Sequence, residues 1–155
     1  MKWHIHWPAG VLALIGLVFF AADRLTRTPT VVHTAQDEIA IPVARDGHYY
    51  LKGSVNGVPL RFMIDTGATY VAVSGKFAAS ARLPEGVKGY FSTANGTVEG
   101  RIVKDQMVEA EGFKVEGISV AVTPLGGKKG LLGQNFLRRF EVSQSGGVMR
   151  LRQAP

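Results

Sequence analysis

The 155-residue chain reads as one all-β domain behind an apolar amino-terminal helix. Three observations carry that reading. Short runs rich in Val, Thr and other strand formers are punctuated by turn residues, with 19 glycines spread among them. Asn56-Gly57 stands between two apolar runs, which is the strongest short hairpin signal. Ahead of both, residues 8–22 (PAGVLALIGLVFFAA) carry no charge at all. The length suits a single folded domain, and no internal repeat or low-complexity tract is visible.

Residues 1–25 are expected to form a single-pass membrane anchor. Counted from Ile5 to Ala22, a helix would be roughly 27 Å long, close to a bilayer core of about 30 Å. Trp3 and Trp7 stand where interfacial aromatics belong. A cleaved signal peptide also fits Lys2 followed by a short apolar core. Cutting after Ala21 or Ala22, however, would put Phe19 or Phe20 where a small residue is needed, so an uncleaved anchor is the preferred reading. Lys2 opposes Arg24 and Arg27 across the segment, which leaves orientation open.

Residues 26–38 are polar and without a period, and read as a linker. The folded domain is then 39–155. IAIPVA, from Ile39, is a first strand, with Pro42 limiting it to an edge or a strand end. HYYLKGSVNGVPLRFMIDTG forms two strands about Asn56-Gly57. A short helix fits between Gly75 and Pro84. A hairpin over 90–103 turns at Asn95-Gly96. Further strands are expected near 101–109 and 117–122, joined at Glu111-Gly112. PLGGKKG leads into LLGQNFLRRF, whose helix would run 134–139 with Phe136, Leu137 and Phe140 buried. A last hairpin turns at Gly146-Gly147.

The net charge is +6, but the basic residues are dispersed. No concentrated basic face or nucleic-acid motif accompanies them, so nucleic acid is not an expected partner. Attraction of a tethered domain to anionic lipid is at least as good a use of this charge. The chain has no cysteine, which excludes disulfides, thiolate metal sites and a cysteine nucleophile. No Gly-x-Ser-x-Gly elbow is present for a serine triad. His4, His6 and His33 precede the domain, and His48 has no partner at metal spacing, so it reads as structural.

The chemistry concentrates in FMIDTGATYVAVS, residues 62–74. Leu60, Phe62 and Ile64 alternate with Arg61 and Met63, the period of a strand. The chain then turns at Asp65-Thr66-Gly67-Ala68 and resumes as Tyr70-Val71-Ala72-Val73. A carboxylate directly after an apolar strand is costly to bury without partners. A neighbouring Gly lets backbone N–H groups approach it, and a Thr supplies a donor and an acceptor beside it.

Asp-Thr-Gly-Ala after an apolar strand resembles the active-site turn of aspartic peptidases. Leu131-Leu132-Gly133 before a short amphipathic helix is similar to a second signature of the single-lobed members. The nearest resemblance is to the bacterial membrane-anchored, single-lobed retropepsin-like family. Its elements appear in order as Asp46-Gly47-His48, Asn56-Gly57, Asp65 to Ala68, Thr93-Ala94-Asn95-Gly96 and Leu131 to Gly133. The match runs from about Ile41 to Arg152. The implied fold is a closed acid-protease barrel with one or two short helices. The flap tip, Ala94-Asn95-Gly96, is less glycine-rich than in viral enzymes.

The resemblance implies an aspartic endopeptidase acting on polypeptides, with Asp65 as the catalytic residue. Asp23, Asp37, Asp46 and Asp105 lie outside such a motif, so one chain supplies one acid and a homodimer is implied. Thr66, Gly67, Ala68, Leu132 and Gly133 would support the site. Thr93, Ala94, Asn95 and Gly96 would form a flap over the substrate. Neither a metal nor an organic cofactor is needed. The anchor and the family together suggest a catalytic domain on the periplasmic side. The alternative is a catalytically inactive, membrane-tethered module on the same fold that binds peptides or dimerises.

Overall fold

Residues 32–35, 38–94, 96–124 and 129–153 are described by the structure, a computed structural model. The anchor expected over 1–25 lies outside them. Among the described residues, no helix is long and apolar enough to cross a membrane.

Hairpins dictate the architecture. β3 (Tyr50–Val55) and β4 (Val58–Ile64) pair in antiparallel register about Asn56-Gly57. Both turn residues have positive φ, 49° and 79°, the backbone that matches strand twist in a two-residue hairpin. Along β4, Phe62 and Ile64 are buried while Arg61 is exposed. Full burial of a side chain like Phe62 contributes about 1.5–3 kcal/mol.

β5 (Val71–Ser74) is buried throughout and leads into α1 (Gly75–Ser80). Ser74 caps this helix, its hydroxyl accepting from the Phe77 N–H at 3.1 Å. β6 (Val87–Thr93) and β7 (Gly96–Ala110) form the next hairpin, with Thr93 opposite Gly96. Gly96 is thus the first strand residue on the return, and Asn95 lies outside the described residues.

The return strand of the hairpin expected over 90–103 and the strand expected near 101–109 are one. β7 runs for 15 residues and serves both the flap hairpin and the barrel. It does so by bulging: the register with β8 (Phe113–Thr123) shifts between Val103 and Gln106 and again before Val108. Asp105 sits there with φ of 58°. A bulge adds a residue and a bend without ending the strand, which period alone does not reveal. β8 also begins before the expected 117, directly after Glu111-Gly112.

β9 (Lys129–Leu132), α2 (Gln134–Leu137), β10 (Phe140–Ser145) and β11 (Val148–Gln153) complete the chain. α2 is shorter than the expected 134–139. Phe136, Leu137 and Phe140 are buried as expected.

The order β3-β4-β9-β5-β8-β7 closes on itself because β7 also pairs with β3. Two pairings in this ring are parallel, β4 with β9 and β5 with β8. The barrel is filled by inward residues including Leu51, Val55, Phe62, Val71, Val73, Val103, Val120 and Leu132. β6 lies outside the ring and, among the described residues, pairs only with β7.

A second sheet has the order β1-β2-β11-β10, with β1 (Val32–Ala35) and β2 (Glu38–Pro42). Strand β1 lies in the stretch read as linker; backbone pairing to β2 orders it. Pro42 ends β2, as its missing N–H requires. Ile39, Ile41, Met149 and Leu151 join this sheet to the common core.

Candidate active site

β4 delivers Asp65 to the lip of the barrel. The Ile64 N–H donates to the Tyr49 carbonyl at 2.9 Å, and the Asp65 N–H donates to the Leu132 carbonyl at 3.1 Å. The chain then turns, the Ala68 N–H donating to the Asp65 carbonyl at 3.2 Å. Inside this turn the Gly67 N–H donates to Asp65 Oδ1 at 2.9 Å. The carboxylate is half-buried and Thr66 is exposed beside it. A Cβ at position 67 would stand 3.3 Å from that oxygen, which is tight beside a carboxylate.

The turn is fastened from below by the start of α2. Gln134 N–H donates to the Ala68 carbonyl at 2.8 Å, and Asn135 N–H to the Thr69 carbonyl at 3.1 Å. The Gln134 side chain adds Nε2 to the Thr66 carbonyl at 2.8 Å. Helix N–H groups of the first turn have no partner within the helix, so here they hold the loop. Gly133 makes the approach possible. A Cβ on it would lie 2.3 Å from the Tyr70 carbonyl oxygen and 2.8 Å from that of Ala68.

Asn135 is the polar residue that reasoning from sequence missed. It is 8% exposed. Its Oδ1 accepts the Val71 N–H at 2.8 Å, and its Nδ2 donates to the Ser119 carbonyl at 2.7 Å. The one available signal was an Asn placed directly before the buried Phe136-Leu137.

Asp65, Thr66, Gly67, Ala68, Leu132 and Gly133 therefore come together as one unit. Of the expected flap residues, Thr93, Ala94 and Gly96 are exposed at the hairpin tip. Thr93 Oγ1 donates to the Gly96 carbonyl at 2.7 Å. The hairpin meets the Asp65 loop through Phe91, whose ring lies 6.3 Å from that of Tyr70. Among the described residues no three His, Cys, Asp or Glu side chains gather as a metal site.

The family model described as gag-polyprotein putative aspartyl protease matches residues 51–139, which include both the Asp65 turn and the Leu132-Gly133 element. This chain belongs to the retropepsin-like aspartic protease family. A crystal structure of a retropepsin-like aspartic protease from Rickettsia conorii is similar in fold, with a TM-score of 0.59 and 25% identity. That likeness covers 83% of this chain and 96% of the other. An uncharacterized protein of Rickettsia prowazekii (strain Madrid E) is 32% identical over 112 residues, 70% of this chain and 48% of that protein. The chain thus spans about half the length of that curated relative.

Elsewhere in this retropepsin-like domain, Asp46 anchors the turn before β3. The Tyr50 hydroxyl donates to Asp46 Oδ2 at 2.6 Å and the His48 N–H donates to Oδ1 at 3.1 Å. The Tyr50 hydroxyl, then the His48 N–H, hold this carboxyl below its ordinary range. His48 is half exposed, and its backbone rather than its ring makes the shorter contact.

Proposed function

We propose that this chain is an aspartic endopeptidase that acts as a homodimer. The observation that supports it most is the Asp65 carboxylate, held by the Gly67 N–H on a turn fastened to β9 and α2. Acid-peptidase chemistry uses two carboxylates sharing one proton. Two like charges about 3 Å apart cannot both ionise, so one pKa falls and the other rises, and the pair titrates as a unit. Each chain contributes one such acid, and a two-fold axis through the site would bring in the partner subunit's Asp65.

In that assembly the ionised carboxylate takes a proton from a bound water. The water oxygen attacks the scissile carbonyl carbon while the protonated acid donates to the carbonyl oxygen. The tetrahedral species then collapses with proton transfer to the departing nitrogen. Thr66, exposed beside Asp65, would meet its symmetry mate across the axis. The β6–β7 hairpins would close over an extended peptide, pairing with its backbone and excluding water.

The test uses the full chain in detergent with an unstructured protein as substrate. Cleavage is expected to rise faster than linearly with enzyme concentration, and Asp65→Asn is expected to abolish it with the fold intact. Peptide binding without cleavage across pH 3–8 would favour the inactive binding module. The uncharged run at 8–22 supports a membrane tether, and the anchor together with the family resemblance favours the periplasmic side. Extraction from membranes by alkaline carbonate would contradict the tether.

A further inference from the structure

The contact between flap and active-site loop is aromatic on both sides. Tyr70 and Phe91 meet edge-on, with an interplanar angle of 88° and 6.3 Å between ring centroids. Along β6 the neighbouring Tyr90 points away and is 75% exposed, so alternation turns Phe91 toward the Asp65 loop.

Phe91 lies against bare backbone. Gly89 and Gly100 are cross-strand partners at the base of this hairpin. A Cβ on Gly100 would come within 3.0 Å of the Phe91 ring and 2.4 Å of the Val122 carbonyl oxygen; one on Gly89 would stand 3.6 Å from the ring. The glycine pair leaves the ring its seat.

Tyr70, in contrast, has a pinned backbone. Its carbonyl abuts Gly133, the preceding Thr69 carbonyl accepts from Asn135 N–H, and the following Val71 N–H is held by Asn135 Oδ1. A ring on a fastened loop thus meets a ring on β6, which among the described residues pairs with β7 alone.

Resting on the peptidase reading, we propose that Tyr70 and Phe91 determine specificity. Their edge-on pair fills one side of the space between the flap and the Asp65 loop. The substrate side chain directed into that space must therefore be small: glycine, alanine or serine. A larger side chain would have to part the two rings or lift the flap, giving up the closure that shields the reaction from water. One surplus methylene against a fixed pocket wall is worth roughly tenfold or more in kcat/KM.

The experiment is cleavage of a peptide library by the full-length chain, varied one substrate position at a time. At one position near the scissile bond, Leu or Phe is expected to lower kcat/KM by about tenfold or more relative to Ala. Tyr70→Ala and Phe91→Ala should bring that ratio toward one, and Tyr70→Phe should keep the wild-type ratio. Tyr70→Leu, which retains more bulk, serves where Tyr70→Ala fails to fold by circular dichroism. A wild-type chain that accepts Leu and Phe at every position overturns the proposal, as do folded variants that cut with the wild-type profile. Either result leaves the peptidase reading standing. A chain that cuts no peptide removes both.

Discussion

The side-chain oxygen of Asn135 accepts the backbone N–H of Val71 at 2.8 Å, joining residues 64 positions apart. The same side chain reaches the Ser119 carbonyl on β8. One buried amide therefore ties together α2, the strand leaving the Asp65 turn and the parallel strand beside it. Buried amides of this kind are costly to remove because their backbone partners stay behind. Asn135→Ala is expected to cost about 1–3 kcal/mol for each of the two groups left unpaired. Urea unfolding would show it as a lower midpoint with an unchanged slope. A midpoint equal to wild type would mean that the amide holds nothing.

Gly133→Ala sets a methyl group against two backbone carbonyls, those of Tyr70 and Ala68. Neither can rotate away, so the Asp65 turn must move. A displacement of about 1 Å at a catalytic group costs on the order of a hundredfold in rate. Peptide cleavage should fall by about that factor, carried mostly by kcat. A fully active Gly133→Ala chain would show that the close approach is not needed.

Gly100→Ala probes the flap seat. Its Cβ would meet the Val122 carbonyl as well as the Phe91 ring, so β7 and β8 must part locally. Overpacking of this kind costs about 1–3 kcal/mol. Thermal melts should fall accordingly, and amide exchange should quicken at Ser92 and Thr97, which pair across the hairpin. Exchange unchanged from wild type would separate the flap from this glycine.

Asp46 gives the domain a defined acid sensitivity. Its carboxyl is held below the ordinary range first by the Tyr50 hydroxyl and then by the His48 N–H; desolvation opposes them, and the His48 and Lys129 charges add the least. The unfolded chain thus takes up this proton at higher pH than the folded one. The carboxylate's contribution is present above its ordinary pKa and fades as pH falls through the lowered folded value. Asp46→Asn should be less stable near neutrality, and its melting temperature should fall less steeply below about pH 4. Parallel pH profiles of wild type and variant would refute this.

Much of the fold was legible from local signals. Asn56-Gly57, Glu111-Gly112 and Gly146-Gly147 all lie between paired strands, because two-residue turns are set by the φ their own residues tolerate. The Asp65 turn and Leu132-Gly133 were legible as motifs. The Asp105 bulge was not, since an inserted residue breaks the period of two that reveals strands. Nor was Tyr70 with Phe91, because half-buried rings, one in a loop and one on a strand, look alike in sequence whether they meet each other or solvent.

By itself the sequence determined most of the strands, though not β1 or the full length of β7, where most of them reverse, and which acid follows an apolar strand into a glycine turn. Those properties belong to neighbouring residues and their allowed backbone angles. Only the tertiary structure decided that β7 closes on β3, that β4 and β9 run parallel, and that Asn135 lies buried beneath Val71. Each of these joins groups distant along the chain, whose pairing is selected by packing and by the need to satisfy buried backbone, not by local preference.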